Sequence, residues 1–359
     1  MGKRIKILYT IPNFNTAGSG KVVYDLVNGL DSEKFEVEIA CGSNKGAFFK
    51  EIETLNVPIH IVDTTTSYRP YFRLYSRMRP IIKFFRENKY DIIHSWHWSS
   101  DWTEVLAARL AGVKWVYTKK AMSWGNKHWK IRSYLANFII TLNDEMKFFF
   151  PYKKKQEFIP LGVDTSYYNP NLFLKPVANN LMFNIITVAN LVPVKKIEVL
   201  IKAIYKLEDP SIVLTIIGDD TNEYGFFLKE LCRELNMEHQ VKFEGKRGDV
   251  RDYLVNSDLY VISSKNEGMP MALVEAMCMG IPVLGSDISG INFVLKNFPD
   301  LLFTVGNKEH LAQKIKYIQS LSYSKRNNLG TELRKYVVEN FNHEIFITAH
   351  QKIYNEILN

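Results

Sequence analysis

Glu267 and Glu275, eight residues apart, are the residues of this chain best placed to do chemistry. They stand in Ser263-Ser264-Lys265-Asn266-Glu267-Gly268-Met269-Pro270-Met271-Ala272-Leu273-Val274-Glu275-Ala276-Met277. The apolar run Asp258–Ile262 before this segment reads as a buried parallel strand. A short helix ended by Gly280 follows, then a second strand over Ile281–Gly285. The spacing predicts one carboxylate at a strand end and the other in the first turn of the next helix. Open α/β sheets bind ligands there, and unpaired helix N–H groups attract phosphate. A carboxylate repels phosphate, so the pair points to hydroxyl groups held beside it. A sugar nucleotide has that composition.

A second group follows the predicted strand Phe183–Ala189: Asn190-Leu-Val-Pro-Val-Lys195-Lys196, then a helix. A lysine after a strand end, in the same half as the two glutamates, is placed to neutralise a diphosphate; a solvated surface lysine is the plainer reading. The first strand of the chain runs into Asn13-Phe-Asn-Thr-Ala-Gly18-Ser19-Gly20-Lys21-Val-Val. A nucleotide-triphosphate loop would need Gly at Asn15 and Ser or Thr at Val22, and a dinucleotide fingerprint would need Gly at Val23. Both fail. What is left is a Gly-Ser-Gly turn at a helix start, where backbone can approach a ligand closely. Asp219-Asp220 also follows a strand and reads as a helix N-cap sooner than as a metal site. His94, His97 and His128 lack regular metal spacing; His94 and Trp96 read as core, and His97 as close to a cleft.

These groups need two sets of alternating strands and helices to position them. Strands read at Ile5–Ile11, Phe35–Cys41, Ile59–Asp63, Asp91–Trp96, Lys114–Thr118, Phe138–Leu142 and Glu157–Pro160, with amphipathic stretches such as Gly20–Leu30 and Ser100–Ala111 between them. After the polar linker Asp164–Asn180 the alternation restarts at Phe183–Ala189, Ile212–Gly218, Val241–Gly245, Leu259–Ser263, Ile281–Gly285 and Leu301–Val305. The expectation is α/β: two doubly wound domains, 1–170 and 180–342, with a cleft between them. A last helix, 343–359, returns across the linker to the N-terminal domain.

The length of 359 residues fits two domains, and 46% hydrophobic with 23% charged residues excludes a disordered chain. Three scattered cysteines, Cys41, Cys232 and Cys278, exclude a disulfide framework and fit a reduced cytoplasmic setting. Met-Gly-Lys-Arg-Ile-Lys-Ile runs into a strand with no signal-peptide core, and Lys6 spoils a myristoylation motif at Gly2. Residues 1–175 hold 26 Lys+Arg against 16 Asp+Glu, whereas the remainder holds 20 against 22. An anionic partner therefore meets the N-terminal half. Two stretches there mix cations with aromatics, Tyr68–Arg86 and Met146–Lys155. They suit an anionic bilayer surface, where each nearby Lys or Arg contributes about 1 kcal/mol. Nucleic acid is the rival partner, and a solvated face over an ordinary core is the third reading. The membrane reading is adopted, without nucleic acid, for a cytoplasmic protein peripheral at the inner face of the membrane.

With these residues assembled, the chain resembles the retaining glycosyltransferases of family 4, which have the GT-B architecture of two facing Rossmann-like domains. The family's Glu-x7-Glu motif is met by Glu267 and Glu275, and its Val-Gly-Arg-Leu-x-x-x-Lys-Gly segment by Val188-Ala-Asn190-Leu-Val-Pro-Val-Lys195-Lys196. Its Asn-Gly-Val-Asp linker start is met by Leu161-Gly-Val-Asp164, and its Pro-Val-x-x-x-Asp-x-x-Gly stretch by Pro282–Gly290. The resemblance implies that Glu275 binds the ribose hydroxyls and that Glu267 contacts the transferred sugar. Lys195 would hold the diphosphate, with the backbone N–H groups of Gly268, Met269, Pro270 and Met271 around it (Pro270 itself supplying none), while Gly18, Ser19 and Gly20 border the cleft. A loop around Lys246 and Arg247 would select the base. The family's phosphate-binding Arg is Asn190 here, Lys196 replaces its Gly and would restore the charge, Lys119-Lys120 stands where a His is usual, and Asn292 replaces a Glu.

The function expected from the resemblance is metal-independent, cofactor-free transfer of a sugar from a UDP- or GDP-sugar to a glycan or lipid-linked acceptor, in bacterial surface polysaccharide (lipopolysaccharide or capsule) synthesis. The alternatives are a sugar-nucleotide epimerase of the same architecture and a catalytically weak nucleotide-sugar-binding homologue.

Overall fold

Near-continuous runs of Val, Ile and Leu suit strands buried on both faces, and this chain builds two parallel sheets from them. The computed structural model describes residues 3–15, 17–120, 122, 126–174 and 182–358. Gly2 and residues 175–180 of the linker lie outside them.

Among the described residues the first sheet has seven strands: β1 Ile5–Ile11, β2 Phe35–Cys41, β3 Ile59–Ile61, β4 Ile92–Ser95, β5 Lys114–Lys119, β6 Phe138–Thr141 and β7 Gln156–Phe158. Their order is β3-β2-β1-β4-β5-β6-β7, and every pair is parallel. Ile7, Ile92, Trp115 and Ile139 fill the centre, and His94 and Trp96 are buried among them. The second sheet has six: β8 Phe183–Val188, β9 Ile212–Ile217, β10 Val241–Phe243, β11 Leu259–Ile262, β12 Val283–Ser286 and β13 Leu302–Phe303. Its order is β10-β9-β8-β11-β12-β13, again all parallel. Each predicted strand is present; β1 and β2 match the expected bounds and the others shift by one or two residues at an end, β5 running on to Lys119 and β12 to Ser286. The four edge strands, β3, β7, β10 and β13, are the shortest, because each has one neighbour to pair with. β12 begins at Val283 because Pro282 has no N–H for the ladder and serves only as acceptor, from Tyr260 N at 2.9 Å.

The chain forms two compact units, residues 1–161 with 344–359, and residues 162–343. The first boundary falls before residue 170 because residues 163–168 are tied into the second unit. Val163 bridges Asn342, and the Arg334 guanidinium donates to the carbonyls of Tyr168 at 2.6 Å and Thr165 at 3.2 Å. The last helix, His343–Leu358, is held in the first unit by a buried chain of polar groups. The Tyr354 hydroxyl lies 2.8 Å from the Tyr9 hydroxyl and 2.7 Å from His94 Nδ1, and His94 Nε2 lies 2.7 Å from Thr118 Oγ1. His350 stacks on His94 at 5.7 Å. Burial holds His94 well below the usual imidazole range and pushes His350 down to about 4. Among the described residues no helix is long and apolar enough to cross a membrane.

Candidate functional site

The loops leaving β8, β11 and β12 at their carboxyl ends are tied to one another. Lys265 N donates to Val194 O at 2.8 Å, the Ser263 hydroxyl to Lys195 O at 3.0 Å, and the Ser286 hydroxyl to Ser264 O at 2.5 Å. On this frame the Lys195 ammonium sits 2.6 Å from Glu267 Oε1, and the Ser264 hydroxyl donates to the same oxygen at 2.6 Å. Both charged groups are largely but not fully buried. Among the described residues no hydrogen bond reaches Glu267 Oε2, and Lys195 commits one of its three donors. The pair is therefore formed in advance and keeps capacity for a ligand.

Glu275 lies in helix Met271–Cys278, one turn deeper than the first turn predicted for it. Pro270, the cap residue, sets the start of that helix four residues before Glu275. The Tyr168 hydroxyl hydrogen-bonds Glu275; burial and then this carboxylate hold the phenol well above its usual range. The buried Tyr260 senses both glutamates: its hydroxyl is raised by burial and then by the charges of Glu267 and Glu275. Gly268, Met269 and Pro270 are buried, and the helix that follows has no side-chain cap, which leaves its first N–H groups to other acceptors. Gly290 permits the next helix to close on this loop: a Cβ there would lie 2.4 Å from Glu267 O and 2.6 Å from Gly268 O.

The flanking candidates divide. Asn190 is exposed on the loop after β8. Lys196 takes the left-handed conformation, φ 53°, at the position where glycine would be free of strain; a side chain there costs roughly 1 kcal/mol. Its ammonium lies 3.3 Å from Glu198 Oε1, which spends the charge expected to stand in for the missing arginine. Arg247 is paired with Glu244 at 2.8 Å. Asp219 and Asp220 do not cap a helix. Asp219 Oδ1 accepts from Thr221, Asp220 pairs with Lys229 at 2.6 Å, and Asn222 is the cap, because its amide oxygen reaches Gly225 N at 2.9 Å. Asn292 donates to Asp287 Oδ1 at 2.8 Å.

In the first unit, Gly18, Ser19 and Gly20 are not a loop. They form the first turn of helix Ala17–Gly29. Those residues need no intrahelical N–H bond, so glycine costs little there. Gly20 also leaves room that a Cβ would lose, 3.0 Å from the rings of Phe14 and Phe48. Ser19 meets a residue from the end of β5: the Lys120 ammonium donates to its hydroxyl at 3.1 Å and to Trp96 O, and lies 5.2 Å from the Trp98 ring. Burial, then the Arg132 charge, push Lys120 down to about 7 and Lys119 to about 8. His97 is buried, with Nε2 3.2 Å from Thr64 Oγ1 and 3.6 Å from Glu104 Oε1. Glu104 also accepts from the Ser95 hydroxyl at 2.6 Å and from Trp115 Nε1 at 3.2 Å. Burial outweighs Glu104 and lowers His97. Tyr168 and Glu104 carry no motif and were not legible as site residues: Tyr168 meets Glu275 and Glu104 meets Thr64 across long stretches of chain, whereas Ser264 lies only three residues before the glutamate it serves.

Residues 170–336 match the family described as Glycosyl transferases group 1, and residues 16–167 match Glycosyltransferase Family 4. An N-acetyl-alpha-D-glucosaminyl L-malate synthase of Bacillus anthracis is 29% identical over 177 residues; the match spans 48% of this chain and only 45% of that protein. A UDP-Gal:alpha-D-GlcNAc-diphosphoundecaprenol alpha-1,3-galactosyltransferase of Escherichia coli is 26% identical over 301 residues, 75% of this chain and 76% of that one. The crystal structure of HepE from Anabaena in complex with UDP and glucose superposes with a TM-score of 0.82 at 18% identity, over 98% of this chain and 100% of that one.

Proposed function

The chain belongs to the glycosyltransferases of group 1 and family 4 and has their GT-B fold, and on that premise we propose a reaction for it. It moves a sugar from a nucleoside diphosphate sugar to a glycan or lipid-linked acceptor of a bacterial surface polysaccharide, with retention of anomeric configuration. The observation that carries this reading is the preformed Lys195–Glu267–Ser264 group with the Glu275–Tyr168 pair beside it. The UDP and glucose held by HepE support the donor class, and the galactosyltransferase named above supports the acceptor class.

The steps follow from charge. A diphosphate arriving beside Lys195 takes up its remaining N–H donors and competes with Glu267 for the ammonium. As the bond from the sugar to the diphosphate breaks, the acceptor hydroxyl oxygen bonds to the same sugar carbon from the same face. The hydroxyl proton passes to the departing phosphate, while negative charge grows on the leaving oxygen. Lys195 and the N–H groups at the start of helix Met271–Cys278 stabilise it without reorganising. Lys195 supplies the positive charge, so the reading requires no metal. Glu267 Oε2 accepts a hydroxyl of the transferred sugar. Glu275, oriented by the Tyr168 hydroxyl, accepts the ribose hydroxyls.

Calorimetry with UDP and GDP tests this directly. Wild-type protein binds one of them, and Glu275→Gln and Lys195→Ala each lose that binding. Unchanged nucleotide affinity in both variants would overturn the assignment. Conversion of the sugar nucleotide in the absence of any acceptor would assign an epimerase instead.

A further inference from the structure

We propose that the basic and aromatic surface around helix His128–Leu135 of the first unit docks on an anionic lipid bilayer, with the groove beside that helix receiving lipid chains. This goes beyond the donor chemistry and stands on different residues. Two stretches distant in sequence contribute. Residues 68–89 hold seven Arg and Lys with one acid, and residues 127–155 hold seven with two acids. The structure brings them together: the Tyr68 ring lies edge-on to His128 at 4.5 Å and 6.0 Å from Tyr71. The outer rings are presented to solvent, Phe72 at 82% exposure, Phe148 at 80%, Tyr134 at 71% and Tyr75 at 66%. Single exposed apolar residues are ordinary, but a cluster of large rings rimmed by cations marks an interaction surface.

The groove is lined by Trp129, Lys130, Tyr134, Phe148, Pro151 and Tyr152. Its floor is fixed, since Trp129 and Phe149 pack against the buried core of the first unit. The Lys153 ammonium ties the same region together by donating to the carbonyls of Tyr134 and Ala136. Lys130 lies in the lining, and Lys147, Lys154 and Lys155 are close in sequence to lining residues; each cation near an anionic headgroup adds to binding. A groove for nucleic acid tracks phosphates with cations along its length. Here the lining is mostly apolar, with Lys130 its one cation, the composition of a bilayer interface with acyl chains below and headgroups above.

Flotation of the full chain with vesicles tests the proposal. The protein floats with phosphatidylglycerol–phosphatidylcholine vesicles at low salt and stays at the bottom with phosphatidylcholine alone. The double variant Tyr134→Ser, Phe148→Ser lowers the floated fraction about tenfold. Its thermal stabilisation by nucleotide stays at the wild-type value, so a failure here is separable from a failure of the donor assignment. Four results would overturn the proposal: wild-type protein that does not float; a variant that floats as well as wild type, which means adsorption by charge alone; tighter binding to RNA than to the vesicles; or a wild-type dimer that the variant breaks, which makes the surface a self-interface.

Discussion

The carboxyl edges of the two sheets share one topology and differ in how they treat charge. At the edge of the second sheet four cations each have an acid: Lys195 with Glu267, Lys196 with Glu198, Arg247 with Glu244 and Lys229 with Asp220. At the edge of the first, Lys120 has a hydroxyl and a backbone carbonyl as hydrogen-bond partners, and Arg132 adds repulsion. A pair that is partly exposed can be opened by a ligand that offers better anions. A buried cation without a carboxylate is driven toward its neutral form. Strand order and crossover connections thus set where loops gather, while the residues in those loops decide whether the edge is a charged clamp or a site of near-neutral lysines.

The largest effect should come from breaking the clamp. Lys195→Ala is expected to lower kcat/KM for the donor at least about 100- to 1000-fold, the scale of removing one preorganised group from a developing anion. A sugar-transfer assay at donor concentrations below saturation reads this, and a loss under tenfold would undo the contrast. The next effect is a stability slope. Lys119 and Lys120 have folded values of about 8 and about 7, below the unfolded value of about 10.4. From pH 7 to about 8.5 the unfolded chain holds lysine protons the folded one has shed, so stability rises with pH and is lost as pH falls through the folded values; above that the buried thiols of Cys232 and Cys278, pushed up to about 11, act in the opposite sense. Urea unfolding across that range should show the rise, and Lys119→Met with Lys120→Met should flatten it; an unaltered slope would place the charge elsewhere.

Below neutrality the buried histidines act in the same sense. His350 at about 4 and His94, held well below the usual imidazole range by burial, favour the neutral ring, so stability falls as pH drops below about 6.5. The smallest effect concerns the polar chain of the last helix. Tyr354→Phe removes two buried hydrogen bonds and should cost about 1 to 3 kcal/mol, with kcat unchanged. A change in kcat instead of stability would show that this chain reports to the chemistry.

Much of this was legible because it is local. Strand positions followed from apolar runs, and the strand–loop–helix setting of Glu267 and Lys195 followed from spacing. The errors were also local in origin. Glycines in Gly18-Ser19-Gly20 read as a turn, since nothing nearby shows that Phe14 and Phe48 close on the helix. Asp219-Asp220 read as a cap although Asn222 sits three residues before the N–H it serves. Tyr168 lay inside a stretch that reads as linker, and its contact with Glu275 spans more than a hundred residues.

Residue type and order alone determined the two doubly wound halves, the paired glutamates with their lysine, and the basic bias of the N-terminal half. These depend on neighbours along the chain and on periodicity. Tertiary structure decided the pairings: which oxygen of Glu267 is taken, that Lys196 is spent on Glu198, that Lys120 lies among neutral partners, and that Tyr68 meets His128 at the start of helix His128–Leu135. Such contacts join residues far apart in sequence, and charge state and availability follow from what surrounds a side chain in space.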